Sequence, residues 1–369
     1  MAASGIGAGD HDVSAYDYLL PPELIAQRPS DVRDGSRLLV LPLSGPLRHR
    51  SFVDICSELK SGDLLVANDA RVLRARLIAS RKGGGKAEVL LLHPAANPGD
   101  WEALVRPGRR IQPGDELVLA PDARIRILDR TTDGGRIVSF DGLDADEAMS
   151  RFGTLPLPPY ITDPPPDADE RYQTVYARSA ASVAAPTAGL HFTATLLERL
   201  HATGVQWATL TLDVGAGTFR PVTVADVRAH VMHRERYEIS AATAQAINRA
   251  RAQGRRIVAV GTTSLRAMEA SAAQDGTVAP GTRFTDIFIH PPYRFRLTGA
   301  LITNFHLPRS TLLMLVSAFA GRERVLDAYR DAVERRYRFF SFGDAMFVES
   351  SSPLERSATA ERGILSGEL

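Results

Sequence analysis

Three stretches of this chain set groups that can hold or move a proton among residues too small to obstruct a ligand. In Ser182-Val183-Ala184-Ala185-Pro186-Thr187-Ala188-Gly189-Leu190-His191-Phe192, Pro186 fixes the backbone and Gly189 lets it turn immediately before a helical pattern. His191, held there, can act as a general acid or base near neutral pH, and a histidine simply hydrogen-bonded inside a loop has the same signature. Val260-Gly261-Thr262-Thr263-Ser264-Leu265-Arg266 reads as strand, glycine and helix start. The free N–H groups and positive end of that helix suit a carboxylate or phosphate, with Arg266 one turn on as a second contact. Capping of the helix by Thr263 or Ser264 is the plainer use of the same residues. Thr303-Asn304-Phe305-His306-Leu307-Pro308 leaves an apolar strand at its carboxyl end, where open α/β sheets bind ligands. Asn304 and His306 are therefore placed for purine or ribose hydroxyls, and Phe305 for packing. Three such corners imply one shared cleft, with Thr187, Gly189, Thr262, Thr263, Arg266 and Asn304 on its binding side.

Other runs carry weaker signals. Val214-Gly215-Ala216-Gly217-Thr218-Phe219-Arg220-Pro221 follows an apolar strand, and its glycines allow close approach to the backbone. It lacks the third glycine and the continuing helix of a dinucleotide fingerprint. His230-Val231-Met232-His233-Arg234-Glu235 gathers two imidazoles and a carboxylate, but catalytic zinc usually takes three ligands in a recognisable pattern, and the helical H-E-x-x-H spacing is absent. No metal is expected. Between residues 66 and 126 eleven basic side chains stand against seven acidic ones. Arg71, Arg74, Arg76, Arg81, Lys82 and Lys86 can thus supply phosphate contacts to a nucleic acid, or form the solvated face of alternating strands.

Composition bounds these readings. A net charge of +1 over 369 residues means that any polyanion is met by local patches, not by the field of the whole molecule. Cys56 is the only cysteine, which excludes an internal disulfide and a thiolate zinc cluster. The longest apolar run, 312–320, contains Ser317 and falls short of the ~18 residues that span a bilayer. The first ten residues lack the basic and apolar blocks of a secretory signal. A cytoplasmic protein without membrane contact is expected.

The elements that must position the site follow from periodicity. Short strands at 73–80, 86–93, 101–105, 116–119, 123–128 and 136–140, punctuated by glycine and proline turns, read as a small barrel. Beyond about 163, strands at 205–212, 256–260, 284–289 and 300–303 alternate with helices at 193–202, 241–253, 264–273, 311–320 and 323–336. Ser240 and Ser310 are the expected caps of two of these helices. Residues 22–27 and 52–59 read as helical and 37–41 as extended. The expected division is a discontinuous α/β domain, 14–63 and 151–349, with an inserted barrel at 64–150 and mobile tails at 1–13 and 350–369.

From Tyr16 to about Val348 these motifs resemble the S-adenosylmethionine:tRNA ribosyltransferase-isomerase family of queuosine biosynthesis. The resemblance implies an α/β/α sandwich with a mixed sheet plus an inserted antiparallel β-barrel domain, with S-adenosylmethionine as cosubstrate and no metal. Its partner would be a tRNA carrying 7-aminomethyl-7-deazaguanine in the anticodon, and the chain is expected to act as a monomer. The family's Gly-rich element falls on Gly215, Gly217 and Thr218, assigning them to ligand binding. Its H-x-E element falls on His233 and Glu235, which join His191 and His306 as proton-handling candidates. Another family motif covers Asn68-Asp69-Ala70-Arg71-Val72, placing tRNA contact at Asn68 and the basic residues that follow it. Asp213, Pro292, Arg74 and Gly299 depart from the family pattern. The implied reaction attaches the ribosyl portion of S-adenosylmethionine to the modified base and isomerises it, giving epoxyqueuosine and releasing adenine and methionine. Rival readings are an S-adenosylmethionine-dependent RNA methyltransferase and a noncatalytic RNA-binding protein.

Overall fold

Continuous apolar runs have no polar face to turn to water, so they belong in the middle of a parallel sheet covered on both sides. The computed structural model describes residues 9–132, 134–215 and 222–350, and in it Leu64–Asn68, Ile257–Val260 and Ala300–Asn304 are buried throughout. They lie at the centre of a nine-stranded sheet. Its order is Gly281–Thr285, Glu235–Ile239, Gln206–Leu212, Leu64–Asn68, Ile257–Val260, Ala300–Asn304, Ala345–Glu349, Arg37–Leu41 and Arg48–Ser51. The four strands from Gln206–Leu212 to Ala300–Asn304 are parallel. Ala345–Glu349 then runs the other way, pairing Ala345 with Asn304, and Arg37–Leu41 follows it in parallel. The ends of four strands and the beginnings of two therefore share one edge.

Alternate residues of these strands feed two cores. Leu39, Val66, Ala259 and Leu301 pack beneath the helices Ala241–Ala252, Thr262–Ser271, Thr311–Ala320 and Arg322–Glu334. Leu38, Leu65, Val258 and Ile302 pack beneath Ile55–Glu58 and Ala194–Ala202, completing the sandwich. Ser240 and Ser310 cap their helices as expected, accepting from the N–H groups of Thr243 and Leu313 at 3.1 and 3.2 Å.

The turn-rich segment closes into a barrel of six antiparallel strands, Arg76–Arg81, Lys86–Pro94, Trp101–Arg106, Arg136–Asp141, Ala123–Arg130 and Glu116–Ala120, sealed by the pairs Ser80 with Val118 and Arg81 with Leu117. Leu77, Val89, Ile125 and Val138 fill it. Arg136, also buried, donates to the carbonyls of Gly108, Ile111 and Gly135. A helix absent from the sequence reading, Ala145–Phe152, is capped by Asp144 and sends Ala148 and Met149 into the same core.

Several expectations shift. Leu64–Asn68, expected in the barrel segment, sits between Gln206–Leu212 and Ile257–Val260, because both of its faces are apolar. Residues 9–13, grouped with a mobile tail, are docked: Val13 is buried and its N–H donates to Ala225 at 2.9 Å, while Asp10 pairs with Arg322 at 2.6 Å. The rest of the expected tails, 1–8 and 351–369, lies outside the described residues. The strand expected at 284–289 lies at Gly281–Thr285, where pairing with Glu235–Ile239 fixes it.

Gly153 marks the return from barrel to sandwich. A Cβ there would fall 2.0 Å from the Arg74 carbonyl oxygen and 2.4 Å from that of Met149, and backbone on both sides cannot retreat. Gly153→Ala should therefore cost on the order of 2–3 kcal/mol of stability in urea denaturation; an unchanged midpoint would contradict this packing.

Candidate active site

At the shared strand edge, the three stretches singled out above meet. Ala184, Ala185, Thr187 and Ala188 form one wall of a cleft, Gly261, Thr262 and Thr263 a second, and Thr303, Asn304 and His306 a third. The free space between these walls, about 610 Å³, includes the open mouth of the cleft. Val214, Leu312, Phe340 and Ser341 complete it. The last two escaped sequence reading because they precede the strand that runs against its neighbours.

The helix Thr262–Ser271 enters the cleft from Gly261, whose φ of 91° favours glycine. No side chain caps it: the Ser264 hydroxyl turns back to the Val260 carbonyl at 2.8 Å, and Thr263 Oγ1 is buried without a partner. The plainer reading, a capped helix, thus does not hold, and the first N–H groups are available to an anion.

Asn304 sits almost wholly buried opposite. Its amide nitrogen lies 3.1 Å from the Phe340 carbonyl oxygen and 3.2 Å from His191 Nε2, while its Oδ1 has no partner. His191 Nδ1 lies 2.7 Å from Ser36 Oγ, and the ring stacks on Phe52 at 5.0 Å. His191 is therefore behind the cleft wall, not in it. Burial pulls its pKa down to about 4. His306 does line the cleft. Its Nε2 lies 2.9 Å from Thr303 Oγ1, its N–H donates to Tyr329 Oη at 3.0 Å, and Tyr18 donates to its carbonyl. Burial lowers its pKa to about 3. Both rings are neutral at physiological pH. Phe305 is packing, as expected, against Tyr329, Tyr337 and Phe339.

The other expected residues divide. Gly189 is not a ligand contact: a Cβ there would lie 2.0 Å from Tyr176 Oη, so its smallness serves the core. Gly215 adjoins cleft-lining Val214 and has open space where a Cβ would be; Gly217 and Thr218 lie outside the described residues. Arg266 and Glu235 form a buried ion pair at 2.5 Å, with Arg266 Nε donating to the Ile287 carbonyl at 3.3 Å. That pair, and half-exposed His233 before it, stand one strand over from Val214: the Asp213 N–H donates to the Arg236 carbonyl at 2.9 Å. Asn68 is fully buried, donating to the Leu212 carbonyl and accepting from Ala70 and Leu212, so it ties strand ends together and presents no surface to an RNA. Arg74 and Arg76 donate to the carbonyls of Gly153 and Leu157, holding the return connection. Arg81 folds over the Gly85 turn, whereas Arg71 and Lys82 are exposed. Among the described residues, no group of His, Cys, Asp and Glu is placed to hold a metal ion, and no helix is long and apolar enough to cross a membrane.

Comparison with known proteins bears on this arrangement. The profile of a family described as "Queuosine biosynthesis protein" matches residues 13–348. A protein of Moorella thermoacetica named S-adenosylmethionine:tRNA ribosyltransferase-isomerase is 53% identical over 342 residues, covering 91% of this chain and 99% of its own length. One of the same name from Symbiobacterium thermophilum is 52% identical over 340 residues, again covering 91% of this chain and 99% of its own. The crystal structure of an S-adenosylmethionine tRNA ribosyltransferase from Thermotoga maritima is similar with a TM-score of 0.52 and 41% identity, covering 91% of this chain and 100% of that one.

The buried imidazoles make stability depend on pH. Each folded-state pKa lies below the ordinary value of 6.5, so the unfolded chain takes up a proton that the folded chain refuses. Stability is therefore complete above pH 6.5 and is lost as pH falls toward about 4 for His191 and about 3 for His306. Between pH 7 and pH 5 the wild type should lose about 2 kcal/mol more than His306→Gln in urea denaturation. Equal losses would mean that His306 is not buried as a neutral ring.

Proposed function

This chain belongs to the queuosine biosynthesis protein family, and from that premise we propose how its cleft serves the reaction. The protein is a transferase that moves and isomerises the ribosyl moiety of S-adenosylmethionine onto a tRNA. The acceptor is 7-aminomethyl-7-deazaguanine at the wobble position, the product epoxyqueuosine, and the released fragments adenine and methionine. The observation that carries the assignment of the cleft is its pair of buried, unpartnered oxygens, Thr263 Oγ1 and Asn304 Oδ1, beside an uncapped helix start. A buried polar atom left unpaired costs about 1–3 kcal/mol, and a ligand that pairs it recovers that cost. The helix start suits the methionyl carboxylate, and the two oxygens suit the N–H and O–H groups of the nucleoside.

The chemistry needs a base and an acid. A sulfonium acidifies the adjacent C5′ hydrogens, so a base starts the rearrangement; an acid then assists adenine departure, and the aminomethyl nitrogen attacks the ribosyl skeleton. His306 lines the cleft as a neutral ring with one N–H and one unprotonated nitrogen, and it is our candidate for holding or receiving the proton there. His233 and Glu235, bordering the cleft across Val214, are our candidates for the transfers on the tRNA side. Arg71, exposed on the short strand Ala70–Val72 that pairs with Ser179–Ser182, and Lys82, exposed on a barrel hairpin, supply phosphate contacts that position the anticodon.

Incubation with S-adenosylmethionine and tRNA, followed by mass spectrometry, separates this reading from its rivals. Adenine and methionine should appear only with tRNA bearing the aminomethyl deazaguanine; S-adenosylhomocysteine would mean methyl transfer, and an unconsumed cosubstrate would mean RNA binding alone. In the same assay, Thr263→Val, which removes an unpaired buried hydroxyl at constant shape, should lower kcat/KM for S-adenosylmethionine about tenfold without loss of thermal stability. An unaffected kcat/KM would take Thr263 out of the binding site.

A further inference from the structure

Asn304 can be oriented without ambiguity, because one of its neighbours has no choice of role. The Phe340 carbonyl, 3.1 Å away, can only accept, so the NH2 of the Asn304 amide must face it. A flipped amide would set two carbonyl oxygens against each other. The same NH2 lies 3.2 Å from His191 Nε2, which must then be an acceptor and carry no proton. The single proton of a neutral ring is thereby on Nδ1, 2.7 Å from Ser36 Oγ. Phe340 is itself fixed: its N–H donates to the Phe305 carbonyl at 3.1 Å, and it holds a φ of 75° that a non-glycine residue adopts only when its surroundings impose it. The amide is gripped on its nitrogen side by two groups, and its oxygen, buried and unpartnered, is left toward the cleft.

We propose that His191 is a positioning residue for the reaction and not its acid or base. With Ser36 behind it, it locks the Asn304 amide so that Oδ1 presents an acceptor to an N–H or O–H of the bound S-adenosylmethionine. This rests on the reading of the cleft as the S-adenosylmethionine site and adds the reason why a histidine stands outside it. An amide free to rotate would offer the cleft a donor half of the time; the locked amide offers only an acceptor. Burial keeps the ring neutral, as the relay needs, since a proton on Nε2 would oppose the Asn304 NH2. Ser36 enters the site from the sequence position just before Arg37–Leu41, a strand that begins at the cleft edge.

The test separates hydrogen bonding from proton transfer. Glutamine at position 191 can accept from Asn304 and donate to Ser36, but it cannot shuttle a proton. His191→Gln should keep kcat/KM for adenine release within about threefold of wild type, while His191→Ala should lose about thirtyfold, mostly as a raised KM for S-adenosylmethionine. The double variant with Asn304→Ala should be no worse than Asn304→Ala alone, since the two residues act through one amide. Long-range 1H–15N spectra of imidazole-labelled wild type should show His191 as the Nδ1–H tautomer. Glutamine as inactive as alanine with the loss in kcat, additive losses in the double variant, or an Nε2–H ring would each overturn the proposal. If the wild type released no adenine at all, the functional reading would fail, while the tautomer spectrum would still decide the geometry of His191 and Asn304.

Discussion

A parallel sheet delivers the carboxyl ends of its strands to one edge, and the chemistry of this protein depends on that delivery. Asn68, Val260 and Asn304 end neighbouring strands, and each strand is buried on both faces, so none can slide or turn without exposing apolar surface. Residues that follow the strands by one to three positions inherit this precision. Gly261 to Thr263 and Phe305 to His306 are such residues, and Asn68 knits the edge together through Leu212 and Ala70. The two reversed strands, Ala345–Glu349 and Arg37–Leu41, bring their beginnings to the same edge, which is how Phe340 reaches Asn304 and Ser36 reaches His191, 155 positions on.

The electrostatics of the cleft follow from the burial of its polar groups. Small residues on the 184–188 wall exclude bulk but offer no charge, and the imidazoles behind and within it are held neutral by burial. Fixed dipoles take the place of ions: a helix start, an amide oxygen and a hydroxyl. On the proposed reading of the cleft, a cosubstrate carrying a sulfonium, an ammonium and a carboxylate would meet a surface that discriminates by hydrogen bonding and not by net charge. The buried ion pair of Arg266 with Glu235 stands one strand away from the cleft wall.

Much of this was legible in the chain itself. The barrel strands and the sandwich helices followed from periodicity and turn residues, and caps such as Ser240 and Ser310 were readable as single residues. Of the three polar corners, two are recognisable because each ends an apolar run, and the first because small residues surround its histidine. Strand polarity was not legible: Ala345–Glu349 and Arg48–Ser51 are short or charged, and nothing local says which way they run, so Phe340 and Ser36 went unnoticed. Nor does a sequence say which side of a residue is empty. Gly189 and Gly215 look alike in the chain, yet one makes room for Tyr176 and the other faces open space. Asn68 and Asn304 are both buried at strand ends, but only Asn304 keeps an oxygen unpaired.

The most direct measurement is a crystal structure of the protein with S-adenosylmethionine bound. The account predicts the methionyl carboxylate on the N–H groups that open the helix Thr262–Ser271, and a donor of the nucleoside about 3 Å from Asn304 Oδ1. A ligand seated elsewhere on the molecule, or an Asn304 amide that turns its nitrogen to the ligand, would contradict it.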